Sequence, residues 1–251
     1  MSAPSPAGED SGDRQAIPLG QPRLHLRRTD STNERARALA IAGAPHGTLV
    51  TAAEQTAGRG RQGRAWLAPA GSALLCSIVL RDPPPTLSLI AGVAVCDIVG
   101  ERARVKWPND VVFAASGADG EKPLAKLAGV LVEGRPQESW AVLGIGLNVA
   151  VPIAELPPEV RVRAASLELR SSAIEPLTGR LMEALGRRLA EPTKGVLDAW
   201  RRRDALLGRH VSWNRGEGTA QGIDGGGYLV VILADGSTAK LDAGEVHLRP
   251  V

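Results

Sequence analysis

Three arginines stand between glycines in residues 54 to 66, which read EQTAGRGRQGRAW. The planar guanidinium of arginine can bind two phosphate oxygens at once, and glycine lets backbone N–H groups come close to a ligand. Arg59, Arg61 and Arg64 are therefore candidates for binding the phosphates of a nucleoside triphosphate. A solvated loop that binds no ligand is the alternative interpretation of these residues.

The same composition predicts how this loop behaves. Neighbouring guanidinium groups repel one another, and glycine loses more conformational entropy on ordering than other residues do. We expect the loop to be mobile without a ligand and ordered around a polyanion. It lacks the GxxxxGK[ST] signature of a P-loop, and its GRGRQG piece does not stand in the βαβ context of a dinucleotide site.

A second candidate group is KWPND at residues 106 to 110, where a predicted strand ends at a proline. Lys106 could contact a phosphate, Asn109 could supply an orienting hydrogen bond, and Asp110 could ligate a Mg²⁺ ion shared with substrate phosphates. Because Pro-Asn-Asp is also a good turn sequence, a plain turn with a surface lysine is the alternative.

The third candidate is a lysine at the start of the apolar run KLAGVLVEG. Among the 30 Lys and Arg residues, only Lys106, Lys122, Lys126, Lys194 and Lys240 are lysines. Two of them enter predicted strands, which suggests that a compact ammonium is needed there. A point charge of this kind would suit a carboxylate that attacks phosphorus. The alternative for Lys126 is a charge that protects a sheet edge.

Length and composition limit the class of protein. With 251 residues, 43% of them hydrophobic, the chain can form one large domain and a small appendage. A net charge of +3 does not by itself indicate a nucleic-acid binder. Cys76 and Cys96 lack disulfide-framework or metal spacing, which favours buried thiols in a reducing, cytoplasmic compartment. We find no apolar run of membrane-span length and no signal-peptide pattern.

Hydrophobic patterns predict the elements that position these candidates. Ser31 is expected to cap a helix, with Glu34 completing a capping box. The predicted order is a flexible tail at 1–21, a strand at RLHLRR, the capped helix, strands at 47–53 and 72–80 around the glycine-arginine loop, an apolar helix at 86–104, a strand at ARVKW, a polar loop after Phe113, and paired buried strands at LAGVLVEG and SWAVLGIGLNV.

The pattern changes towards the C-terminus. Residues 176 to 207 predict two packing helices. After Arg209, five short strand candidates alternate with Gly-containing turns, which is typical of a small closed β-barrel. We therefore place a domain boundary near Leu207.

Taken together, the motifs resemble those of the biotin-protein ligases. The matching pieces are DSTN (30–33), EQTAGRGRQGRAW (54–66), KWPND (106–110), KLAGVLVE (126–133) and GIGLNV (144–149), in the order of that family. The resemblance implies an α+β fold: a mixed sheet with helices like that of class II aminoacyl-tRNA synthetases and biotin/lipoyl ligases, in residues 22–207. A small SH3-like barrel would follow in residues 208–251.

The resemblance also implies a reaction and a set of partners. Biotin and Mg·ATP would give biotinyl-5'-AMP and pyrophosphate. Biotin would then pass to one lysine of a biotin carboxyl carrier domain of an acyl-CoA or pyruvate carboxylase. A monomer or weak homodimer is expected, without a membrane partner. The first 21 residues are too short and polar for the DNA-binding domain of some relatives, so no DNA partner is expected.

Site residues follow from the same resemblance. Those implied for biotin binding are Ser31, Thr32, Asn33, Gln55, Gly58, Arg59, Lys126 and Gly129. Those implied for ATP or adenylate are Arg61, Arg64, Trp66, Lys106, Asn109 and Asn148. Lys126, Arg61 and Lys106 would be catalytic, with Lys126 stabilising the transition state, and Asp110 would bind Mg²⁺. Trp66 would stack on adenine, although a core tryptophan is the alternative.

Two departures from the family pattern bear on these roles. The insert between Phe113 and Lys126 is longer than in relatives, and LAG after Lys126 selects it over Lys122. Ala65 stands where some relatives have a cation, which predicts weaker adenylate binding.

Three other functions compete with this one. A lipoyl or other acyl-protein ligase on the same core is the nearest, although such relatives generally lack GRGRQG together with KWPND. A nucleic-acid-binding module would need more aromatic residues on its strands than Trp213 and Tyr228. A non-catalytic scaffold is the third.

Overall fold

The computed structural model describes residues 19–114, 124–134, 138–242 and 247–248. The strands are β1 Arg23–Leu26, β2 Leu49–Ala52, β3 Ala73–Arg81, β4 Ala103–Lys106, β5 Asp110–Ala114, β6 Leu124–Gly134, β7 Trp140–Asn148, β8 His210–Trp213, β9 Gly216–Ile223, β10 Leu229–Ile232, β11 Thr238–Leu241 and β12 His247–Leu248. The helices are α1 Thr32–Ile41, α2 Leu87–Val99, α3 Pro158–Arg161, α4 Ile174–Ala190 and α5 Thr193–Arg201.

A seven-stranded mixed sheet forms the larger part of the molecule, with strand order β1-β2-β3-β7-β6-β5-β4. β1 and β2 are parallel, whereas the other neighbours are antiparallel. The predicted α+β fold with a mixed sheet is confirmed. The predicted pairing of the two strands now named β6 and β7 is confirmed as well.

The two faces of this sheet have different partners, as the alternation along β3 shows. Leu74, Cys76 and Ile78 point into the main core, which also contains α2, α4 and α5. Val79, on the opposite face, packs with Val50 and Val142 beneath α1. Because α1 covers only part of that second face, the rest is available for a binding cleft.

The start of α1 departs from its predicted cap. Ser31 is the N-cap residue, but its side chain makes no capping hydrogen bond. The carboxylate of Glu34 forms an ion pair with Arg59, so the residue expected to complete the capping box is used by the loop instead. The capping-box prediction is therefore wrong.

A strand was missed after the KWPND segment. β5 begins at Asp110 and pairs antiparallel with β4, with Lys106 opposite Asp110. Residues 107 to 109 are therefore the turn of a β-hairpin, and Phe113 lies inside a strand. The apolar helix ends at Val99 rather than at Arg104, which belongs to β4. The residues after Ala114 up to 123, including Lys122, lie outside the described part.

The C-terminal part is a five-stranded antiparallel sheet with order β11-β10-β9-β8-β12. The five predicted strands are confirmed. Pairing between β11 and β12, which would close a barrel, is not found among the described residues. Val211, Leu229 and Val231 belong to the same core cluster as the α2 and α4 side chains, so this sheet packs directly on the larger part.

The described chain begins at Leu19, close to the large sheet. Leu19 packs against the main core, and the Gly20 N–H donates to Gly47 O at 2.9 Å. Residues 1 to 18, which hold most of the predicted tail, lie outside the described part. In the described ranges, no helix has the length and apolar character that crossing a membrane requires.

Candidate active site

A cleft lies on the second face of the large sheet, beside the N-terminus of α1. Most of the site residues predicted from the sequence line it. These are Ser31, Thr32, Asn33, Gln55, Arg59, Arg61, Arg64, Trp66, Lys106, Asn109, Asp110, Lys126 and Gly129. Gly58 and Asn148 are not among the lining residues of the described chain. Residues far apart in the sequence thus meet in one place.

Glycines form the floor of the cleft. Gly129 on β6 pairs directly with Gly146 on β7. A Cβ atom at Gly129 would lie 3.0 Å from the Trp66 ring, and a Cβ atom at Gly146 would lie 2.6 Å from it. At Gly144, a Cβ atom would overlap the Asn33 amide. Side chains at these positions would fill the cleft, which explains glycines inside two central strands.

A polar network lies beside this floor. Gln55 Oε1 accepts hydrogen bonds from the Thr32 N–H at 2.7 Å and from the Thr32 hydroxyl at 3.0 Å. Ser77 Oγ lies 2.8 Å from Thr32 Oγ1 and 2.5 Å from Asn33 Oδ1. The Asn33 amide donates to Glu133 at 2.7 Å. Because Oε1 of Gln55 is occupied, its –NH₂ group is the part that can bind a ligand.

Ser77 and Glu133 were missed from the sequence. Both hold Asn33, so they belong to the support of the cleft. A signal was present: Ser77 interrupts the apolar run SALLCSIVL and is fully buried. Buried hydroxyls need partners, so such a residue marks a polar contact on that face.

The loop of residues 56 to 66, the strap, covers the cleft as a small irregular hairpin. The Gly60 N–H donates to Arg64 O at 2.7 Å, and the Trp66 N–H donates to Gly58 O at 2.9 Å. A Cβ atom at Gly58 would lie 2.6 Å from Trp66 O, so the close approach requires glycine there. The ion pair of Arg59 with Glu34 ties the strap to α1.

Arg61 connects the strap to the hairpin turn. Its guanidinium donates to Asn109 Oδ1 at 3.2 Å. Asn109 is held in turn by β6, since its amide donates to Val130 O at 2.7 Å and its carbonyl accepts from the Val130 N–H at 2.9 Å. The turn interpretation of KWPND is thus correct for the backbone, and the same turn also lines the cleft.

Lys126 stands at the centre of the site. Its Nζ lies 2.7 Å from Asp110 Oδ1 and 5.7 Å from the centroid of the Trp66 ring. β6 lies between β5 and β7, so the edge-charge interpretation of this lysine is wrong. The register of β5 and β6 shifts beside it, since Val111 pairs with Ala128 and Val112 with Lys126, which leaves Leu127 of β6 as the extra residue of a bulge. Bulges of this kind redirect side chains next to functional sites.

Trp66 is half-buried, and one side of its ring faces Gly129 and Gly146. It also packs against the small apolar cluster of Leu75 and Val151. This position is compatible with an adenine platform and with the core role, and adenine stacking stays a prediction. Asn148 donates to Ala165 O at 2.8 Å, and its predicted adenylate contact is likewise untested.

The open space in the cleft is about 140 Å³. Pockets for ligands of ordinary size enclose about 300–1,000 Å³. A ligand that carries both an acyl group and a nucleotide would extend beyond this space towards the strap, whose movement stays a prediction.

Two kinds of chemistry can be judged from the residues of the cleft. Burial raises the pKa of the Cys76 thiol to about 12, so it is protonated at neutral pH and is no thiolate nucleophile. In the described residues, no group of three or more His, Cys, Asp and Glu side chains could hold a metal. Asp110 offers a single carboxylate, which suits a Mg²⁺ ion bound chiefly by phosphates.

Sequence comparisons match the chain to two family models. Residues 25–149 match the Biotin/lipoate A/B protein ligase family. Residues 206–249 match the biotin protein ligase C terminal domain.

Curated relatives agree with these matches. The biotin–[acetyl-CoA-carboxylase] ligase of Mycobacterium tuberculosis is 34% identical over 96% of this chain and 92% of that protein. The bifunctional ligase/repressor BirA of Bacillus spizizenii is 36% identical, but the match covers 61% of this chain and 48% of that protein. The chain thus spans about half the length of the Bacillus relative.

A solved structure shows the same architecture. The biotin protein ligase of Aquifex aeolicus in complex with biotin and ATP superposes with a TM-score of 0.72 at 27% identity. The superposition covers 92% of this chain and 100% of that one.

Proposed function

Because the chain belongs to the biotin protein ligases of the biotin/lipoate ligase family, we propose that it activates biotin with ATP and attaches it to a protein lysine. The intermediate is biotinyl-5'-AMP, and the acceptor is a lysine of a biotin carboxyl carrier domain. Residues 22–207 form the domain that binds both substrates, and the C-terminal sheet, from residue 208 onwards, forms a second unit beside it.

One observation carries this proposal. Arg61 from the strap, Asn109 from the hairpin turn and Lys126 from β6 meet over a glycine floor, beside the Thr32–Gln55 pair. Cationic groups thus lie next to neutral hydrogen-bonding groups in one cleft. Such a site suits a ligand with a phosphate end and an uncharged polar end.

The uncharged end is assigned to the biotin ureido ring. This ring has two N–H donors and one carbonyl acceptor. The Gln55 –NH₂ group and the hydroxyls of Ser31 and Thr32 offer the complementary donors and acceptors. Polar pocket groups left unpaired by an analogue would select strongly against it.

The charged end is assigned to the reacting phosphate. A carboxylate oxygen of biotin attacks the α-phosphorus of ATP, and the bond to the oxygen bridging to the β-phosphate breaks, which releases pyrophosphate. The carboxylate is ionised at neutral pH and needs no base. Lys126 stabilises the added negative charge of the transition state, and Lys106, Arg61 and Arg64 bind phosphate oxygens.

Asp110 is the residue assigned to magnesium. Asp110 would hold a Mg²⁺ ion bound with ATP, and this ion would supply positive charge that neutralises part of the phosphate charge. The contact of Asp110 with Lys126 at 2.7 Å supports this assignment, because Lys126 is the residue assigned to the reacting phosphate.

The second step transfers the acyl group. The neutral ε-amine of the carrier lysine attacks the acyl carbon, the bond to AMP breaks, and the amine loses a proton. A closed strap keeps water from the mixed anhydride until the carrier arrives.

Exchange of labelled pyrophosphate into ATP tests the proposal. The purified chain should exchange with biotin and not with lipoate. Incubation with a carrier domain should then add the mass of one biotin. Exchange with lipoate alone would favour a lipoyl ligase, and no exchange with either acid would overturn the adenylation chemistry.

A further inference from the structure

The turn between β4 and β5, together with the first residue of β5, is held by several elements. Pro108 O accepts a hydrogen bond from the Ser88 hydroxyl of α2 at 3.1 Å. Asn109 is bound to Val130 of β6. Asp110 pairs with Lys106 of β4 and with Gly129 of β6. The cleft side of this turn is thus fixed from inside the large sheet and α2.

Trp107 is held from the other part of the molecule. Its indole N–H donates to the carbonyl of Gly227, in the turn before β10, at 3.1 Å. The side chain is 2% exposed and belongs to the main core cluster. A buried carbonyl without this donor would be left unsatisfied, which is costly. The contact therefore fixes the C-terminal turn and the site turn against each other.

The C-terminal turn is itself well held at this point. Gly227 has a φ of 84°, and a Cβ atom there would lie 2.6 Å from Leu89 Cδ1 of α2. The carbonyls of Ile223 and Asp224 accept hydrogen bonds from the Arg201 guanidinium at 3.2 and 3.3 Å. The carbonyl that receives Trp107 is thus presented by a rigid, closely packed segment.

We propose that Trp107 is a positioning residue through which the C-terminal sheet sets the geometry of Asn109 and Asp110 in the active site. This inference rests on the proposed function. The C-terminal sheet contributes to the chemistry without touching the substrates, because its Gly227 carbonyl holds the first residue of the turn that carries the ATP-binding groups.

Trp107→Phe removes the indole N–H and keeps an aromatic ring. We expect kcat/KM for MgATP in biotin-dependent pyrophosphate exchange to fall by about 10- to 100-fold, since small displacements of catalytic groups cost rates of this order. The KM for biotin should change less than about twofold, because the Thr32–Gln55 pair is on another element.

Trp200→Phe is the matched control. Trp200 is 0% exposed, and its indole N–H has no partner among the described residues. The same truncation there removes core volume without removing a hydrogen bond. It should lower thermal stability and leave the exchange kinetics at the wild-type level.

A second pair of variants tests the same contact from the C-terminal side, even if Trp107→Phe does not fold. Gly227→Ala moves the accepting carbonyl, whereas a Cβ atom at Gly225 in the same turn meets nothing within 4 Å. Gly227→Ala should reproduce the selective loss for MgATP, and Gly225→Ala should not.

The possible negative results have different meanings. If the wild type exchanges pyrophosphate while Trp107→Phe and Gly227→Ala match their controls in kinetics, the positioning role is overturned and the ligase function stands. The role is also overturned if the KM for biotin and the KM for ATP rise together. If the wild type shows no biotin-dependent exchange, the proposed function itself fails.

Discussion

Arg61 and Lys126 lie in the same cleft, but their surroundings suggest different contributions. Arg61 belongs to the strap and reaches Asn109 across the cleft. Lys126 belongs to a central strand and is fixed between Asp110 and the Trp66 ring. A cation on a moving loop suits the binding of phosphates, whereas a cation on a rigid strand suits stabilisation of the transition state.

The first prediction separates these roles by substitution. Arg61→Ala should raise the KM and Kd for ATP more than Lys126→Ala does. Lys126→Ala should lower kcat by about 10²–10³-fold, as is typical when one electrostatic stabiliser is removed. Steady-state exchange kinetics and nucleotide titration give both quantities.

Lys194→Ala is the control for Lys126→Ala. Lys194 also lies 2.7 Å from a carboxylate, that of Asp198, but on the exposed surface of α5. Its loss should leave kinetics unchanged, because exposed ion pairs contribute little. Equal kinetics for Lys126→Ala and Lys194→Ala would contradict the assigned role.

The residues that line the cleft were easier to predict than the residues that hold them in place. The charged and glycine-rich motifs are recognisable by residue type and spacing, so most of the cleft-lining residues were predicted. Ser77 acts through Thr32 and Asn33, and Glu133 acts through Asn33. Both roles depend on a strand register that one sequence does not define. Asn148, predicted at the adenylate, is placed by its bond to Ala165 outside the lining of the cleft.

Among the elements, the strap is the one that we expect to move. The enclosed space of about 140 Å³ is smaller than pockets for ligands of ordinary size, and the side-chain contacts of the strap arginines include the Arg59–Glu34 pair and the Arg61–Asn109 bond. Polar contacts on an exposed loop contribute little stability. Opening of the strap should therefore require little free energy, and contacts with a ligand can stabilise the closed strap.

The second prediction follows from this equilibrium. Trypsin should cleave within residues 56 to 66 of the free protein, and biotin, ATP and Mg²⁺ together should slow this cleavage by at least about tenfold, because the closed strap withdraws its arginines. Mass spectrometry of the fragments measures the rate at each site. Cleavage after Arg170, which is exposed and remote in sequence from the strap, should not change.

An unchanged rate within the strap would contradict ordering by ligand. Protection by biotin alone would show instead that the acyl pocket, and not the phosphates, closes the strap.

Secondary structure was predictable where hydrophobic periodicity decides it. The strands β3 and β7 were predictable because almost all of their residues are buried, and β6 was predictable from its apolar run LAGVLV. β5 was missed because Pro-Asn-Asp signals a turn and the following DVVFA is short. The expected capping box failed because Glu34 pairs with Arg59, a residue separated from it in sequence, and tertiary contacts of this kind override local propensity.

At the scale of the whole molecule, the two sheets share one core. Val211, Leu229 and Val231 from the C-terminal sheet join the cluster that contains Trp200 and Trp107. A domain boundary near Leu207 was expected from the change in pattern, and β8 begins shortly after it, at His210. The boundary marks a change of secondary structure more than a division of the core.

The third prediction is therefore a single unfolding transition. Tryptophan fluorescence, which reports on the shared core, and far-ultraviolet circular dichroism should give the same midpoint, and the calorimetric and van't Hoff enthalpies should agree. Two separated transitions would show that the C-terminal sheet unfolds independently, and would weaken the case for coupling through Gly227.

Asp204 provides a fourth prediction, because it lies where the two parts join. The Val105 N–H of β4 donates to Arg203 O, and Val105 O accepts from the Ala205 N–H. Asp204 Oδ1 accepts the Leu206 N–H at 2.7 Å. Its Oδ2 is buried without a hydrogen-bond partner in the described residues. Burial raises the pKa of this carboxyl from 3.8 to about 6.

The sign of the pH effect follows from this raised pKa. Between the unfolded value of 3.8 and the folded value of about 6, the folded protein binds more protons, so stability falls as the pH rises through this range. Above the folded value, the ionised buried carboxylate costs about 3 kcal/mol. Asp204→Asn keeps an acceptor oxygen and removes the ionisation.

The Tm of Asp204→Asn minus the Tm of the wild type should therefore increase as the pH rises from 4 to 7. The change should amount to several degrees, since about 1 kcal/mol shifts Tm by about 2–4 °C in a chain of this size.

Asp235→Asn is the control, and its effect on stability should have the opposite sign. Hydrogen bonds from Ser237 lower the pKa of Asp235, so removing its charge should cost stability at neutral pH and not in acid. Calorimetric scans across this pH range measure both differences, and a Tm difference for Asp204→Asn that does not vary with pH would show that the carboxyl is ionised throughout.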